Sequence, residues 1–261
     1  MGRLTTPKQN EAHIMFQRFF SAVLVFIILL AVHQAGPAYG SAKYIIILIS
    51  DGQGAKHIEA TNNYTGSTPA YQSDPAWTLS WQATYPDGGG YDANQAWSDF
   101  NYLTSGYTDS SAAATALFCG EKTQNGRVSV SANASERFFC IGEEARNLGK
   151  AVGVISTVPI SHATPGTFTS HNEDRGNAYA IADEALFEDP NTTGQPSDAK
   201  YGGGFGPTIP SADVVIGDRR SSYVSAAILD KLRAESGQPG KHVLVERQSG
   251  QDGGTLLMNA A

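Results

Sequence analysis

The stretch "EEARNLGKAVGVIST", Glu143 to Thr157, predicts a helix that runs directly into a strand. Its first half consists mostly of helix-favouring residues, and Gly149 is the residue type that most often ends a helix. Its second half is a continuous apolar run, which is typical of a strand buried on both faces of a parallel sheet. A helix followed at once by such a strand indicates an α/β fold.

The same alternation extends on both sides of this stretch. Further strands are predicted at "KYIIILIS" (43–50), "ADVVIG" (212–217) and "KHVLVER" (241–247), and further helices at 177–187 and 221–236. The region 61–102 is rich in Gly, Ser, Asn and aromatic residues without helical periodicity, and it predicts loops with short strands. We therefore expect an α/β three-layer sandwich with a largely parallel central sheet in a domain spanning residues 41–261. Ligands of such sheets bind beyond the carboxyl ends of the strands.

The N-terminal 40 residues have the pattern of an export signal. Basic residues precede a 14-residue apolar run, Phe19 to Val32, and small residues follow at Ala38 and Gly40. An uncleaved anchor is the alternative, although the run is shorter than the roughly 20 residues of a spanning helix. We expect a signal peptide over 1–40, an exported periplasmic or extracellular protein, and no stable membrane span after cleavage.

Charge and cysteine content narrow the class of protein further. The formal net charge is −7, which argues against nucleic-acid binding. The two cysteines, Cys119 and Cys140, are too few for a disulfide-based scaffold. They could pair in an exported protein, and the sequence leaves that pairing open.

The stretch "GYTDSSAAATALFCG", Gly106 to Gly120, predicts a helix that begins between Thr108 and Ser110. Backbone N–H groups and the helix dipole favour an anion at such a start. Ser110 is therefore either a plain cap or a nucleophile whose phosphate ester the helix end would stabilise.

Other polar residues could bind a metal ion or an anion. Asp51 follows the first predicted strand and precedes Gly52, so it either ligates a metal or caps a turn. His162 and Thr164 are two residues apart, and Pro165 disfavours helical geometry at Thr164, so both side chains are predicted to point the same way from an extended segment. Arg175 could bind two phosphate oxygens at once. Taken singly, each of these three residues has a plainer interpretation: His162 as a satisfied loop histidine, Thr164 as a helix cap and Arg175 as a surface charge.

Taken together, these motifs resemble the alkaline phosphatase family over nearly the whole of residues 41–261. The matching stretches are "IIILISDGQG", "TDSSAAATALFCGEKTQNGRVSV", "GKAVGVISTVPISHATPGTFTSHNEDR" and "ADVVIGDRRSSY". The resemblance implies hydrolysis of small phosphate monoesters with Zn²⁺ and Mg²⁺, and it suggests a homodimer.

The resemblance also implies a role for each matching residue. Ser110 would be the nucleophile that forms a phosphoseryl intermediate and would ligate one zinc ion. Asp109 would hold Arg175, which would bind the phosphoryl oxygens. Asp51 would bridge a zinc and the magnesium-type site, to which His162 and Thr164 would belong. Some relatives carry Asp where this chain has His162, and a nitrogen ligand suits zinc or cobalt better than magnesium.

The family's remaining metal ligands lie in its C-terminal half. They are a Glu, an Asp-x-x-x-His pair, an Asp-His pair and a final His, whereas the one histidine after Arg175 here is His242. We therefore expect a domain truncated at its C-terminus, and a chain that alone is inactive or nearly so. The alternative is a non-catalytic remnant that binds phosphate or a metal ion. Phosphodiester or sulfate ester hydrolysis fits the motifs less well, because sulfatases use a modified cysteine in a different local motif.

Overall fold

The structure is a computed structural model that describes residues 42–187 and 212–260. The predicted signal peptide, 1–40, lies outside the described residues. The chain divides into two compact units, one ending at Ser50 and one beginning at Asp51. No helix in the described ranges combines the length and the apolar composition needed to cross a bilayer.

The second unit contains all the helices and strands that the structure describes. In chain order they are α1 (Ala55–Thr65), α2 (Ala70–Ser73), α3 (Ala93–Ser98), a 3₁₀ helix (Phe100–Thr104), α4 (Ser110–Cys119), α5 (Ile141–Asn147), β1 (Gly153–Pro159), α6 (Ala163–Thr169), α7 (Ala178–Phe187), β2 (Val214–Asp218), α8 (Ala226–Glu235) and α9 (Gly253–Ala260).

The two strands form a parallel pair, which confirms an α/β fold at the level of its elements. Gly153 pairs with Val214 and Ile155 with Ile216, and a register shift precedes the pairing of Pro159 with Asp218. Parallel pairing brings the carboxyl ends of β1 and β2 to the same edge. The segments leading to α6 and to α8 both leave from that edge.

Two of the four predicted strands are wrong. Residues 43–50 and 241–247 have no strand structure, and Tyr44, Ile46 and Leu48 are each at least 76% exposed. An apolar run becomes a buried strand only when neighbouring strands pair with its backbone. Within the described ranges the one sheet contains β1 and β2 alone.

The prediction of loops with short strands for 61–102 is only partly right, because 18 of these 42 residues are helical, the others are turns or irregular, and none lies in a strand. Local caps explain the difference. The Asp92 carboxylate accepts from the N–H groups of Asn94 and Gln95 at the start of α3, and Asp99 accepts from Asn101 N–H at the start of the 3₁₀ helix. None of these helices buries a residue, so no core contact supports them.

The packed part of the molecule is built around α4, α6 and α7. Helix α4 packs against α6, which in turn contacts α7 and β1. Gly166 permits the close approach of α6 to α7, because a Cβ there would lie 2.7 Å from Ile181 Cγ2. The rings of Phe118 and Phe168 meet edge to face at 4.9 Å between centroids.

The two cysteines form a disulfide, Cys119–Cys140, which the sequence left open. It links the last residue of α4 to the residue that caps α5. The disulfide and the Phe118–Phe168 contact therefore fix the C-terminal end of α4. Its N-terminal end, which carries Ser110, is held by polar contacts.

Candidate active site

Helix α4 begins at Ser110, which confirms the predicted helix start. Asp109 is the N-cap, and its Oδ1 accepts a hydrogen bond from Ala112 N–H at 2.8 Å. A carboxylate at this position satisfies a backbone donor that the helix itself leaves unpaired. The hydroxyl of Ser110 therefore lies in the first turn, where N–H groups and the helix dipole favour negative charge.

Asp51 brings two hydroxyl groups together. Ser110 Oγ donates to Asp51 Oδ1 at 3.2 Å, and Thr164 Oγ1 donates to Asp51 Oδ2 at 2.9 Å. Asp51 is exposed in a turn that precedes α1, and Gly52 in that turn has φ +76°. The carboxylate thus joins Ser110 and Thr164, which follow Asp51 by 59 and 113 positions in the sequence.

Asp109 and Arg175 form a second, more enclosed pair. Arg175 Nη1 lies 3.2 Å from Asp109 Oδ2, and the two side chains are 29% and 20% exposed. The same oxygen accepts from Ser111 Oγ at 2.8 Å and from Gly126 N–H at 2.9 Å. The guanidinium is thereby fixed at its Nη1 end.

The surroundings of Asp109 favour its charged form. Burial alone would raise the pKa of the carboxyl group. The hydrogen bonds from Ala112, Ser111, Gly126 and Arg175 outweigh burial, so the pKa lies below its usual value. Asp109 therefore remains an anion that can hold Arg175 at neutral and alkaline pH.

His162 caps α6 and faces Arg175, whose Nη2 lies 3.3 Å from His162 Nε2. Burial lowers the pKa of His162, and the positive charges of Arg175 and Arg220 lower it further against the opposing effect of Asp51. The imidazole is therefore neutral near pH 7. Its Nδ1 is buried and has no hydrogen-bond partner.

The predicted extended geometry at Thr164 is wrong, because Thr164 is the second residue of α6. Pro165 is the third residue of that helix, within the first turn. A proline is tolerated there because the N–H groups of the first turn have no intrahelical acceptor. The hydroxyl of Thr164 nevertheless reaches Asp51.

The structure thus brings the predicted site residues into one neighbourhood. Ser110 and Thr164 meet at Asp51, while Asp109 and His162 meet at Arg175. The two groups are joined by the peptide bond between Asp109 and Ser110 and by the short link from His162 to Thr164. In this arrangement the guanidinium can bind a tetrahedral oxyanion beside the Ser110 hydroxyl.

Sequence reasoning missed several residues of this neighbourhood. Ser111 and the Gly126 N–H support the Asp109 carboxylate, and the Tyr223 ring lies 5.7 Å from the His162 ring. The sequence does give a signal for Tyr223, because this residue lies in the segment that follows the predicted strand 212–217. In a parallel sheet, the loops that follow the strands lie at the same edge. Nothing in the sequence distinguished Gly126 from other turn glycines.

A tight cluster of metal-ligand types lies elsewhere. In the part of the chain that the structure describes, Cys140, Glu143 and His171 are the one group of three or more His, Cys, Asp or Glu ligand atoms within 4.8 Å of one another. The Cys140 sulfur is bonded to Cys119, and His171 Nδ1 lies 3.1 Å from Glu184 Oε1. These partners make the cluster a structural one in the oxidised protein.

Comparison with known proteins gives consistent matches. The model of a family described as alkaline phosphatase matches residues 42–250. Alkaline phosphatase 3 of Bacillus subtilis (strain 168) is 35% identical over 150 residues, which are 56% of this chain and 29% of that protein. Streptomycin-6-phosphate phosphatase of Streptomyces griseus is 33% identical over 177 residues, which are 67% of this chain and 34% of that protein.

A solved structure also matches. The cold-active alkaline phosphatase of the psychrophile Shewanella sp. is 28% identical, with a TM-score of 0.46, over 71% of this chain and 38% of that one. The chain spans about a third of the length of these relatives.

Proposed function

Because the chain belongs to the alkaline phosphatase family, we propose that the protein is a metal-dependent phosphomonoesterase that acts through a phosphoserine at Ser110. The observation that carries this proposal is the convergence of the Ser110 hydroxyl on the Asp51 carboxylate beside an Arg175 guanidinium that Asp109 holds. The proposed substrates are small phosphate monoesters.

The reaction uses these groups in two steps. Arg175 and the first turn of α4 bind the phosphoryl oxygens, which places phosphorus next to Ser110 Oγ. The serine oxygen forms a bond to phosphorus while the ester bond breaks. The Ser110 hydroxyl gives its proton to water, and the departing alkoxide takes one from water, so the step has no net proton change. Water then attacks the phosphoserine, which releases phosphate and restores the hydroxyl.

Asp51 orients the nucleophile. Its Oδ1 accepts the Ser110 hydroxyl hydrogen, so a lone pair of Oγ is directed away from the carboxylate. Asp109 keeps Arg175 in place before substrate binds, so this ordering is not repeated at each turnover. Because His162 is neutral, it has no positive charge that would attract phosphate away from Arg175.

The residues around Asp51 fit a divalent cation. Asp51 and Thr164 provide oxygen ligands, and the buried Nδ1 of His162 has no protein partner. We assign Asp51, His162 and Thr164 to the magnesium-type position, and Asp51 and Ser110 to a zinc position. A bound cation would offset the negative charge that gathers on the phosphoryl and serine oxygens. The imidazole favours zinc or cobalt over magnesium at the first of these positions.

The other described histidines point to different partners. The His57 Nδ1 accepts from Gly54 N–H at 3.1 Å, and His242 Nδ1 lies 2.8 Å from Glu235. Among the described residues, the proposal therefore assigns Asp51 and Ser110 alone to the zinc position. We further propose that the whole enzyme has a complete three-layer sandwich, is exported by means of its 1–40 segment and forms a homodimer.

The test is turnover of para-nitrophenyl phosphate by the purified full chain with added Zn²⁺ and Mg²⁺. Ser110→Ala should lower kcat by about a thousandfold or more, because it removes the nucleophile. Ser105→Ala is the matched control, since the Ser105 hydroxyl only donates to Tyr102 O on the exposed surface. Acid quenching during turnover should trap phosphate on Ser110, which mass spectrometry locates.

Each result decides between the two candidate functions. Equal turnover by the wild-type chain and Ser110→Ala contradicts the proposed mechanism. A wild-type chain that binds inorganic phosphate without any turnover supports the non-catalytic remnant instead. Addition of the polypeptide corresponding to the C-terminal part of a relative is then the direct way to look for restored activity.

A further inference from the structure

A dipeptide in the loop after α4, Asn125–Gly126, contacts both halves of the phosphate-binding group. The Asn125 side chain binds the backbone just before Ser110: its Oδ1 accepts from Asp109 N–H at 2.9 Å, and its Nδ2 donates to Tyr107 O at 2.8 Å. One amide group thus spans residues 107–109. The orientation of this amide is fixed, because one end meets a donor and the other meets an acceptor.

Gly126 continues the same connection with its backbone. Its N–H donates to Asp109 Oδ2 at 2.9 Å, and its carbonyl oxygen accepts from the Arg175 backbone N–H at 2.7 Å. The φ angle of Gly126 is +87°, a conformation that glycine adopts without strain. Asn125 and Gly126 therefore tie the backbone before the nucleophile to the backbone of the arginine.

The next residues anchor this loop. Val128 and Asn172 exchange two backbone hydrogen bonds, at 2.9 and 2.8 Å, and Val128 is fully buried. Arg127 Nη1 donates to Glu173 O at 2.6 Å. The segment that carries Arg175 is thus a fixed support, and the Asn125 amide transmits its position to residues 107–109.

We propose that Asn125 is a positioning residue for phosphoryl transfer, which sets the Ser110 hydroxyl relative to the Arg175 guanidinium. This inference rests on the proposed function. Asn125 acts through the backbone of Tyr107 and Asp109 and contacts neither the hydroxyl nor the guanidinium. A displacement of the nucleophile by about 1 Å is enough to lower a rate substantially.

The position of Asn125 makes the inference testable without unfolding the protein. The side chain is exposed, so Asn125→Ala and Asn125→Leu leave the core unchanged. The leucine variant retains the side-chain bulk and removes only the two hydrogen bonds. Asn133→Ala is the matched control, because Asn133 makes side-chain hydrogen bonds within a surface turn, to Ser131 and Ser135.

Two measurements on the full chain are needed. The first is the steady-state hydrolysis of para-nitrophenyl phosphate. Both Asn125 variants should lower kcat roughly tenfold while KM stays within about twofold, because the phosphate-binding guanidinium is retained. The second is amide hydrogen exchange at Asp109, which should be at least about tenfold faster in both variants. The thermal midpoint and both measurements should be unchanged in Asn133→Ala.

The second measurement separates this inference from the proposed function. Unchanged Asp109 exchange in both Asn125 variants overturns the inference, whether or not the wild-type chain is active. Faster exchange with unchanged kcat in an active protein also overturns it. Faster exchange in a chain whose wild type shows no turnover supports the positioning contact and counts against the proposed function alone.

Discussion

The two aspartates of the site lie in contrasting surroundings. Asp109 is half-buried and accepts hydrogen bonds from two backbone N–H groups, a hydroxyl and a guanidinium. Asp51 is exposed and accepts from two hydroxyl groups. The Asp109 carboxylate is thus saturated by protein hydrogen-bond donors, whereas the Asp51 carboxylate retains free lone pairs.

The difference follows from the packing behind each residue. Helix α4, which Asp109 caps, buries Ala112, Ala114 and Phe118 and is joined to α5 by a disulfide. Helix α1, which follows Asp51, buries no residue. A capped helix with a packed face has a fixed start, and a turn before an exposed helix does not.

This contrast indicates that the site is preorganised on one side only. Arg175, to which the proposed function assigns phosphate binding, is held by Asp109 without any ligand, as electrostatic preorganisation requires. The Asp51 side is completed by its ligand, which the proposed function takes to be a divalent cation. Removing a group should therefore affect folding on the Asp109 side and cation binding on the Asp51 side.

Loss of the disulfide should have the largest effect on stability. Replacing both Cys119 and Cys140 by serine frees a loop whose ends are 21 residues apart, and the chain-entropy model then gives a loss of about 3 kcal/mol in the free energy of unfolding. Urea unfolding of the double variant and of the wild type measures this loss. An unchanged urea midpoint would show that the packing around α4 does not depend on the Cys119–Cys140 disulfide.

Replacement of Asp109 should have the next largest effect. Asp109→Ala removes the cap of α4 and leaves the N–H groups of Ala112 and Gly126 without their acceptor, at a cost of about 2 kcal/mol in the free energy of unfolding. Asp109→Asn retains an acceptor oxygen and should cost less. Equal losses in the two variants would assign the effect to charge instead of capping.

The pH dependence of stability should depend on the same carboxylate. The pKa of Asp109 is lowered in the folded state, so its contribution is complete above its unfolded pKa of about 4. That contribution is lost as pH falls through the lower folded value. Thermal midpoints of the wild type and Asp109→Asn should therefore converge below about pH 4, in metal-free buffer. A constant difference across this range would contradict the lowered pKa.

The sequence predicted the packed region better than the exposed one, for a local reason. The start and end of α4 are determined by the Asp109 cap and by Gly120, which are both visible within a dozen residues. The strands predicted at 43–50 and 241–247 depended on partners that no local pattern shows. The composition of 61–102 does not predict its short helices, and of those that the structure describes there, only α3 and the 3₁₀ helix begin at a capping aspartate.

The site residues were found through motifs, while their support was not. Resemblance to a family drew attention to Ser110, Asp109 and Arg175, which the structure brings together. Neither composition nor spacing pointed to Asn125, because an Asn-Gly pair is an ordinary turn signal. The geometry at Thr164 was mispredicted because a proline disfavours helix at the residue before it only as a tendency, and the first helical turn accepts it.

Replacement of Asp51 should have the smallest effect on stability and the clearest effect on cation binding. Asp51→Ala removes an exposed side chain whose partners, Ser110 and Thr164, can bond to water instead, so unfolding should change by less than about 0.5 kcal/mol. Zn²⁺ or Co²⁺ should raise the thermal midpoint of the wild type through binding to the folded state, and this rise should disappear in Asp51→Ala. Asp92→Ala is a suitable control for cation binding, since Asp92 is also an exposed aspartate that precedes an exposed helix. If Zn²⁺ still raises the thermal midpoint of Asp51→Ala, the cation binds elsewhere. If this variant loses much of its stability, the Asp51 side is as firmly preorganised as the Asp109 side.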